Sequence, residues 1–463
     1  MISAYILLLI AIPQKSTAQR LDSTSYQPIG LHGRIPEDFL KCVQGVLTVP
    51  LPIGFDDKKF INEKFSSVTA IQLRQIFLSG YVYYNDTLSA YSRRVLQNLL
   101  ASKPEISSKI HVFVTRLSAP NAMTWQDGTV LINVGLLAKM QNEAQLAFVL
   151  GHEITHFLRN HAYQQYMLAQ GVPPPSDVKG ALSVIQYSNL NELYADSSSL
   201  QLIAAAGYKP QEAIAALRLL ETYAYEPLNI AASLSSAKVT VSERELCTPA
   251  KARNYTQFGA NMRKTEGTPT ITIDSRVSAI LKNMAVLPTT TAAKIDSSKM
   301  KTSVTEFALM RRFAQFEVIE DCYQQGDFIR TAYDALSLLK QYPKNKYLMA
   351  RAMNGMHGIA AYSKIGKLGD ILFDRFRTDD IGLARLYCFL RENSDNYIQQ
   401  IAYYFVEQMH QKHSSDEEML FAMAQATELY LGLDHALPFY KDYLSKYPKG
   451  TNSAIVQLKI TSQ

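Results

Sequence analysis

Two histidines stand four positions apart in His152-Glu153-Ile154-Thr155-His156, with a carboxylate directly after the first. On a helix, positions i and i+4 lie about 40° apart, so both imidazoles share one face. Imidazoles placed this way can bind one zinc ion, leaving Glu153 to act as a base on water. The alternative is a pair of surface histidines on an amphipathic helix. With nine His in 463 residues, a chance occurrence of the pattern has a probability of about one in a hundred.

A catalytic zinc site takes three protein ligands and keeps a fourth position open. His161 is near in sequence, but on a continuous helix it lies about 140° around from His156 and points away. A better third ligand sits in Asn191-Glu192-Leu193-Tyr194-Ala195-Asp196, where Glu192 follows His156 by 36 residues. Glu192 and Asp196 are again i and i+4. Glu192 can bind the metal while Asp196 accepts a hydrogen bond from the back nitrogen of a ligating histidine. Taken alone, this segment would read as a solvated acidic stripe. The run Ala204-Ala205-Ala206 with Gly207 as its cap marks a packed helix instead, and the histidine pair needs a partner.

The elements that must hold these residues can be read from their flanks. Asn142 is placed to cap a helix, Glu143 suits its positive end, and Leu146, Val149 and Leu150 supply an apolar face. That helix is expected to run through the motif to about Leu168, before Gly171 and Pro173-Pro174-Pro175. Leu88–Leu100 reads as a helix and Ile110–Leu117 as a strand. Asp127-Gly128 between Met123-Thr124-Trp125 and Thr129–Ile132 is a hairpin turn. The hairpin is a candidate edge for receiving a substrate backbone as an added strand, or an ordinary hairpin of the sheet. A loop over Gln170–Tyr187 is expected between the two metal-binding segments, and residues 226–275 read as a second long irregular region.

The two motifs together resemble the gluzincin zinc metallopeptidases of the HtpX and BepA type, whose pattern is HExxH, a gap, and a Glu-x-x-x-Asp helix. The likeness extends to Asn121–Leu137 and to Ala206-Gly207-Tyr208-Lys209-Pro210, and covers roughly residues 70 to 285. It implies one zinc ion held by His152, His156 and Glu192, with Glu153 as catalytic base and Asp196 orienting a histidine. It also implies polypeptide substrates drawn from misfolded or stalled envelope proteins. Relatives commonly carry a His-Pro pair before an Arg; here Thr268-Pro269 precedes Asp274-Ser275-Arg276. The group that stabilises an oxyanion is therefore left unassigned. A second reading stays open beside the first, a repeat-based chaperone or scaffold whose peptidase domain is latent or inactive.

Composition sets the wider frame. With 47% hydrophobic and 19% charged residues the chain is globular, and its length allows two domains or more. The net charge of +6 is spread without a basic block, which argues against a nucleic-acid partner. Residues 1–18 resemble a secretory signal peptide, with apolar Ile6–Ile12 followed by Ser16-Thr17-Ala18, although no Lys or Arg precedes the apolar run. No later stretch reaches the 18 or more apolar residues of a membrane span. The expectation is a periplasmic or otherwise exported protein, soluble or peripherally membrane-associated. Cys42, Cys247, Cys322 and Cys388 form no metal knuckle and allow one or two disulfides or buried thiols.

The fold class expected is mostly α with a small β-sheet. A leader over 19–68 is followed by a zincin-like metallopeptidase domain over 69–300. An all-α tetratricopeptide-like repeat domain follows over 305–463. The repeat reading rests on Tyr323-x-x-Gly326-Asp327 leading to Tyr342-Pro343, and Tyr430-x-Gly432-Leu433-Asp434 leading to Tyr447-Pro448. The two Tyr-Pro pairs are 105 residues apart, close to three units of 34. Such arrays commonly bind extended peptides or protein partners on their concave face.

Overall fold

The structure is a computed structural model that describes residues 26–29, 59–84, 86–169, 178–219, 228–252, 271–287, 297–369, 381–413 and 415–461. The signal-peptide segment, Cys42 and Thr268-Pro269 lie outside these residues.

The first described helix, α1 (Lys59–Leu78), runs through residue 68, so the boundary expected there falls inside a helix. Helix α2 (Thr87–Leu99) starts where the Asp86 carboxylate accepts from Ser89 N, and the short α3 (Pro104–Ser107) follows. Three strands come next: β1 (His111–Thr115), β2 (Ala122–Thr124) and β3 (Thr129–Asn133). Their order is β1-β3-β2, with β1 parallel and β2 antiparallel to β3. The expected hairpin at Asp127-Gly128 is present. Asp127 accepts from Thr129 N at 2.9 Å, and Gly128 has φ of 88° with a Cβ position only 2.1 Å from the Lys109 carbonyl. No larger residue fits that turn.

Strands β1 and β3 are buried because both faces of the sheet are covered there, while β2 is half-buried. Val112, Val114, Val130 and Ile132 join the main core, while Phe113 and Leu131 pack under Leu73 and Phe77 of α1. Helix α4 (Val134–Lys139) leads into α5 (Glu143–Leu158), which carries the histidine pair beneath the sheet. Asn142 caps α5 by accepting from Gln145 N, as its side chain suggests. The helix does not continue to Leu168. It stops at Leu158; Asn160 takes a left-handed φ of 55°, and a new helix, α6 (His161–Ala169), begins. Helix α7 (Val178–Ala205) then carries Glu192 and Asp196. The loop expected over Gln170–Tyr187 is thus helical from Val178 onward, and residues 170–177 lie outside the described set. Helix α8 (Glu212–Arg218) packs on α5 and α10 (Ile273–Met284) on α7, while the short α9 (Ile230–Leu234) lies between them in sequence.

The remaining described chain is helical: α11 (Ser297–Gln324), α12 (Phe328–Leu339), α13 (Lys346–Lys364), α14 (Ile381–Glu392), α15 (Asp395–Lys412), α16 (Glu417–Leu431), α17 (Leu433–Lys446) and α18 (Ser453–Thr461). Glycines in the left-handed region turn the chain in both look-alike stretches, Gly326 (φ 72°) between α11 and α12 and Gly432 (φ 100°) between α16 and α17. Helix α11 packs on α4 and α2 and also on α12 and α13, so one continuous core joins the sheet region to the helical array.

Two further devices tie the parts together. Residues 228–252, irregular apart from α9 and a final turn, lie along α14 and α15. A Cys247–Cys388 disulfide, a Lys238–Glu407 ion pair at 2.8 Å and an Arg385 Nε donation to the Cys247 carbonyl hold them there. Cys322 is a buried free thiol. Residues 26–29 dock on α11. There the fully buried Glu317 accepts from Tyr26 Oη at 2.5 Å, Ile29 N at 2.7 Å and Tyr83 Oη at 2.5 Å.

Burial raises the Glu317 carboxyl from 4.5 to about 7, and the donated hydrogen bonds only partly oppose this. A carboxyl whose folded pKa lies above its unfolded value stabilises fully below the unfolded pKa, and that contribution is lost as pH rises through the folded one. Glu317→Gln mimics the protonated acid. Its melting temperature relative to the parent chain should therefore rise between about pH 5 and about pH 8, as read by circular dichroism. An unchanged difference across that window would refute the assignment.

Candidate metal centre

Helices α5 and α7 cross at Gly151 and Ser199. A Cβ on Gly151 would lie 2.5 Å from Ser199 Oγ, and that hydroxyl donates to the Phe148 carbonyl across the crossing. This contact sets the His152–His156 face of α5 against the Glu192–Asp196 face of α7.

Three ligand atoms converge there. His152 Nε2 and His156 Nε2 are 3.0 Å apart, and the Glu192 carboxylate oxygens lie 3.4 and 3.5 Å from them. A zinc ion about 2.0–2.2 Å from each ligand spaces them about 3.3 Å apart around a tetrahedron, so the triangle has the size the ion requires. The tautomers agree. His152 Nδ1 is 3.0 Å from Asp196 Oδ1, so its N–H donates to the carboxylate and its Nε2 lone pair faces the centre. The structure brings His152, His156, Glu192 and Asp196, the four residues named from their spacing, to one place.

The electrostatics point the same way. Burial disfavours charge on His152, but Asp196 and Glu192 outweigh it and raise its pKa to about 9. Burial and the facing His152 push His156 down to about 3. Burial opposes ionisation of Glu192, yet the His152 hydrogen bond and the charges of His152 and Arg276 hold it at about 2. Two facing Nε2 atoms beside a carboxylate held ionised form a donor set suited to a cation.

Glu153 is buried next to this triangle, and burial raises its carboxyl pKa. Thr124 Oγ1, from β2, donates to Glu153 Oε2 at 2.7 Å. A cavity of about 370 Å³ opens over the group, and Asn121, Ala122, Met123 and Thr124 form part of its wall. Strand β2 is an edge among the described strands. Asn121 O accepts from Asn133 N and Trp125 N donates to Thr129 O, so by alternation the backbone groups of Ala122 and Thr124 face the open side.

Three contributors were given no place at the site by the sequence reading. Thr124 is one; its place on the hairpin gave no hint that its hydroxyl meets the base. Arg276 of α10 is another: Nε and Nη2 donate to both Asp196 oxygens at 2.7 and 2.6 Å, and Nη1 lies 3.1 Å from Glu192. It partly balances the carboxylates and lines the cavity. His161 is the third, and here the expectation is overturned. It does not point away: its Nδ1 lies 3.0 Å from His156 Nδ1, because the break at Asn160 turns it back.

Residues 87–178 match peptidase family M48. This segment includes the histidine pair and ends before Glu192. The chain is also similar to the Beta-barrel assembly-enhancing protease of Yersinia pestis, 23% identical over 164 residues, covering 30% of this chain and 34% of that protein. The protein of that name from Escherichia coli (strain K12) is 24% identical over the same shares. The Mitochondrial metalloendopeptidase OMA1 of Arabidopsis thaliana is 31% identical over 117 residues, covering 22% of this chain and 24% of that protein. The chain thus spans about a third of the length of the first of these relatives. The M48 match and the metalloendopeptidase relatives support a metallopeptidase role.

Gly151→Ala should destabilise the protein by about 1–3 kcal/mol in urea unfolding, since the added methyl meets Ser199. Combination with Ser199→Ala should recover part of that loss. A Gly151→Ala variant as stable as the parent would show that the crossing is looser than described.

Proposed function

We propose that this chain is an exported zinc metalloendopeptidase whose C-terminal helices form a tetratricopeptide-like array, acting on misfolded or stalled envelope proteins. The observation that carries the peptidase reading is the triangle of two Nε2 atoms and the Glu192 carboxylate beside the buried Glu153, open to a cavity. His152, His156 and Glu192 would hold one zinc ion. The ion supplies Lewis acidity toward a carbonyl and makes water a nucleophile near neutral pH.

The chain's own residues do the rest. Thr124 occupies Glu153 Oε2, which leaves Oε1 to take the proton of the attacking water and pass it to the leaving amine. Burial raises the proton affinity of Glu153, which favours that transfer. Asp196, clamped by Arg276, keeps His152 in the tautomer that presents Nε2. The open backbone of Ala122 and Thr124 would pair with an extended substrate. Main-chain pairing tolerates many side chains, as an enzyme acting on varied unfolded proteins needs.

The exported setting is supported by the Cys247–Cys388 disulfide, since such bonds persist in oxidising compartments. Among the described residues no helix is long and apolar enough to cross a membrane, which accords with a soluble or peripherally attached protein. The paired glycine turns of the helical array support the repeat reading and, with it, protein partners on that domain.

Glu153→Gln should retain one zinc ion per chain by elemental analysis and lose casein cleavage by at least about a hundredfold. Glu192→Ala should lose the zinc. Undiminished cleavage by the first variant, or a full zinc complement in the second, would sink the mechanism. Cellular complementation by Glu153→Gln would favour the chaperone reading instead.

A further inference from the structure

Asn160 ends α5 in a left-handed turn, and its carbonyl accepts from Gln164 N to start α6. Its side chain is held from β3's neighbouring turn, with Gln126 Nε2 donating to Asn160 Oδ1 at 2.5 Å. Asn is among the few side chains that adopt this backbone region at small cost. The consequence is a change of direction between Arg159 and His161. On an unbroken helix His161 would sit on the far side from His156; after the turn its ring meets His156 edge-on, 4.9 Å between centroids and 78° between planes. His161 is 7% exposed, and the Tyr194 ring from α7 lies 6.5 Å beyond it.

The His156 Nε2 atom faces His152 Nε2 and Glu192, and with that atom's lone pair given to a metal ion the ring proton sits on Nδ1. The atom in reach of that N–H is His161 Nδ1 at 3.0 Å. His161 must accept through Nδ1 and carry its own proton on Nε2. Each histidine of the pair is therefore held from behind by a different chemistry, a carboxylate for His152 and a neutral imidazole for His156.

We propose that His161 is a positioning residue, which accepts the Nδ1 proton of His156 and so fixes the His156 Nε2 lone pair on the metal point. This rests on the reading that His156 is a metal ligand. Partners of this kind set the tautomer and rotation of a ligand, and their loss typically weakens metal binding by about 10–100-fold. The left-handed Asn160 is then part of the site at one remove, because it determines where His161 points.

The test uses the full chain, stripped of metal, with zinc affinity measured by competition against a chromophoric chelator. His161→Phe keeps an aromatic ring without an acceptor; His161→Asn places a carbonyl oxygen near the lost Nδ1. Phe should weaken zinc binding about 10–100-fold, and Asn should hold it within about threefold of the parent. Both apo-variants should melt close to the parent apo-protein, and their cobalt forms should show altered visible bands for Phe and parent-like bands for Asn. Parent-like affinity in His161→Phe overturns the proposal. So does His161→Asn binding as weakly as Phe, which would mark a packing role. If the parent chain itself takes up no zinc, or His156→Ala binds as tightly as the parent, the underlying ligand reading fails with it.

Discussion

Helices α5 and α7 approach so closely at Gly151 and Ser199 that a single methyl group would force them apart. Everything chemical in the molecule depends on that approach. The ligand atoms of His152 and His156 come from one helix and those of Glu192 from the other, and a separation of 3.0–3.5 Å among them leaves little tolerance. A displacement of about 1 Å in the helix crossing would place the third oxygen outside bonding distance of a shared ion. Rigid packing is the means of control: Leu146, Ala147, Leu150, Ile154, Leu200 and Ile203 are all buried in one core around the crossing.

Electrostatics adds a second layer to the same geometry. Three carboxylates, Glu153, Glu192 and Asp196, are gathered in a largely buried volume, a costly arrangement without compensating charge. Arg276 meets part of that cost through its bidentate contact with Asp196 and its approach to Glu192. Because Arg276 belongs to α10, the site draws on a helix about 80 residues beyond Asp196 as well as on α5 and α7, and α10 is itself packed on α7 and α8.

Much of this was legible in the chain. Spacing at i and i+4 named four site residues, Asn142 marked the helix start, and Asp127-Gly128 marked the hairpin, because each rests on local stereochemistry. What the sequence hid depends on distant contacts or on one dihedral angle. Periodicity assumes an unbroken helix, so it put His161 on the wrong side; only the left-handed Asn160, which also accepts from Gln126, reverses that. The helical start at Val178 was obscured by the three prolines just before it. Thr124 reaches the site through the tertiary fold and no local pattern announces it; Arg276 was named from the family resemblance, but its contacts with Asp196 and Glu192 are tertiary. In the same way Glu317 has no visible partner in sequence, since Tyr26 and Tyr83 lie 291 and 234 residues away.

The Cys247–Cys388 bond closes a covalent ring of chain whose ends are 141 residues apart. Arg276, Glu317 and helices α10 to α13 lie wholly within that ring. A cut at one point between the two cysteines opens the ring without releasing a fragment, so a clipped molecule stays a single covalent body until its disulfide is reduced. Closing a loop of that length also restricts the unfolded chain, a contribution of about 4–5 kcal/mol on chain-entropy grounds. For a protein proposed to work among peptide-bond hydrolysis, its own included, the region that carries Arg276 is thereby made tolerant of a nick.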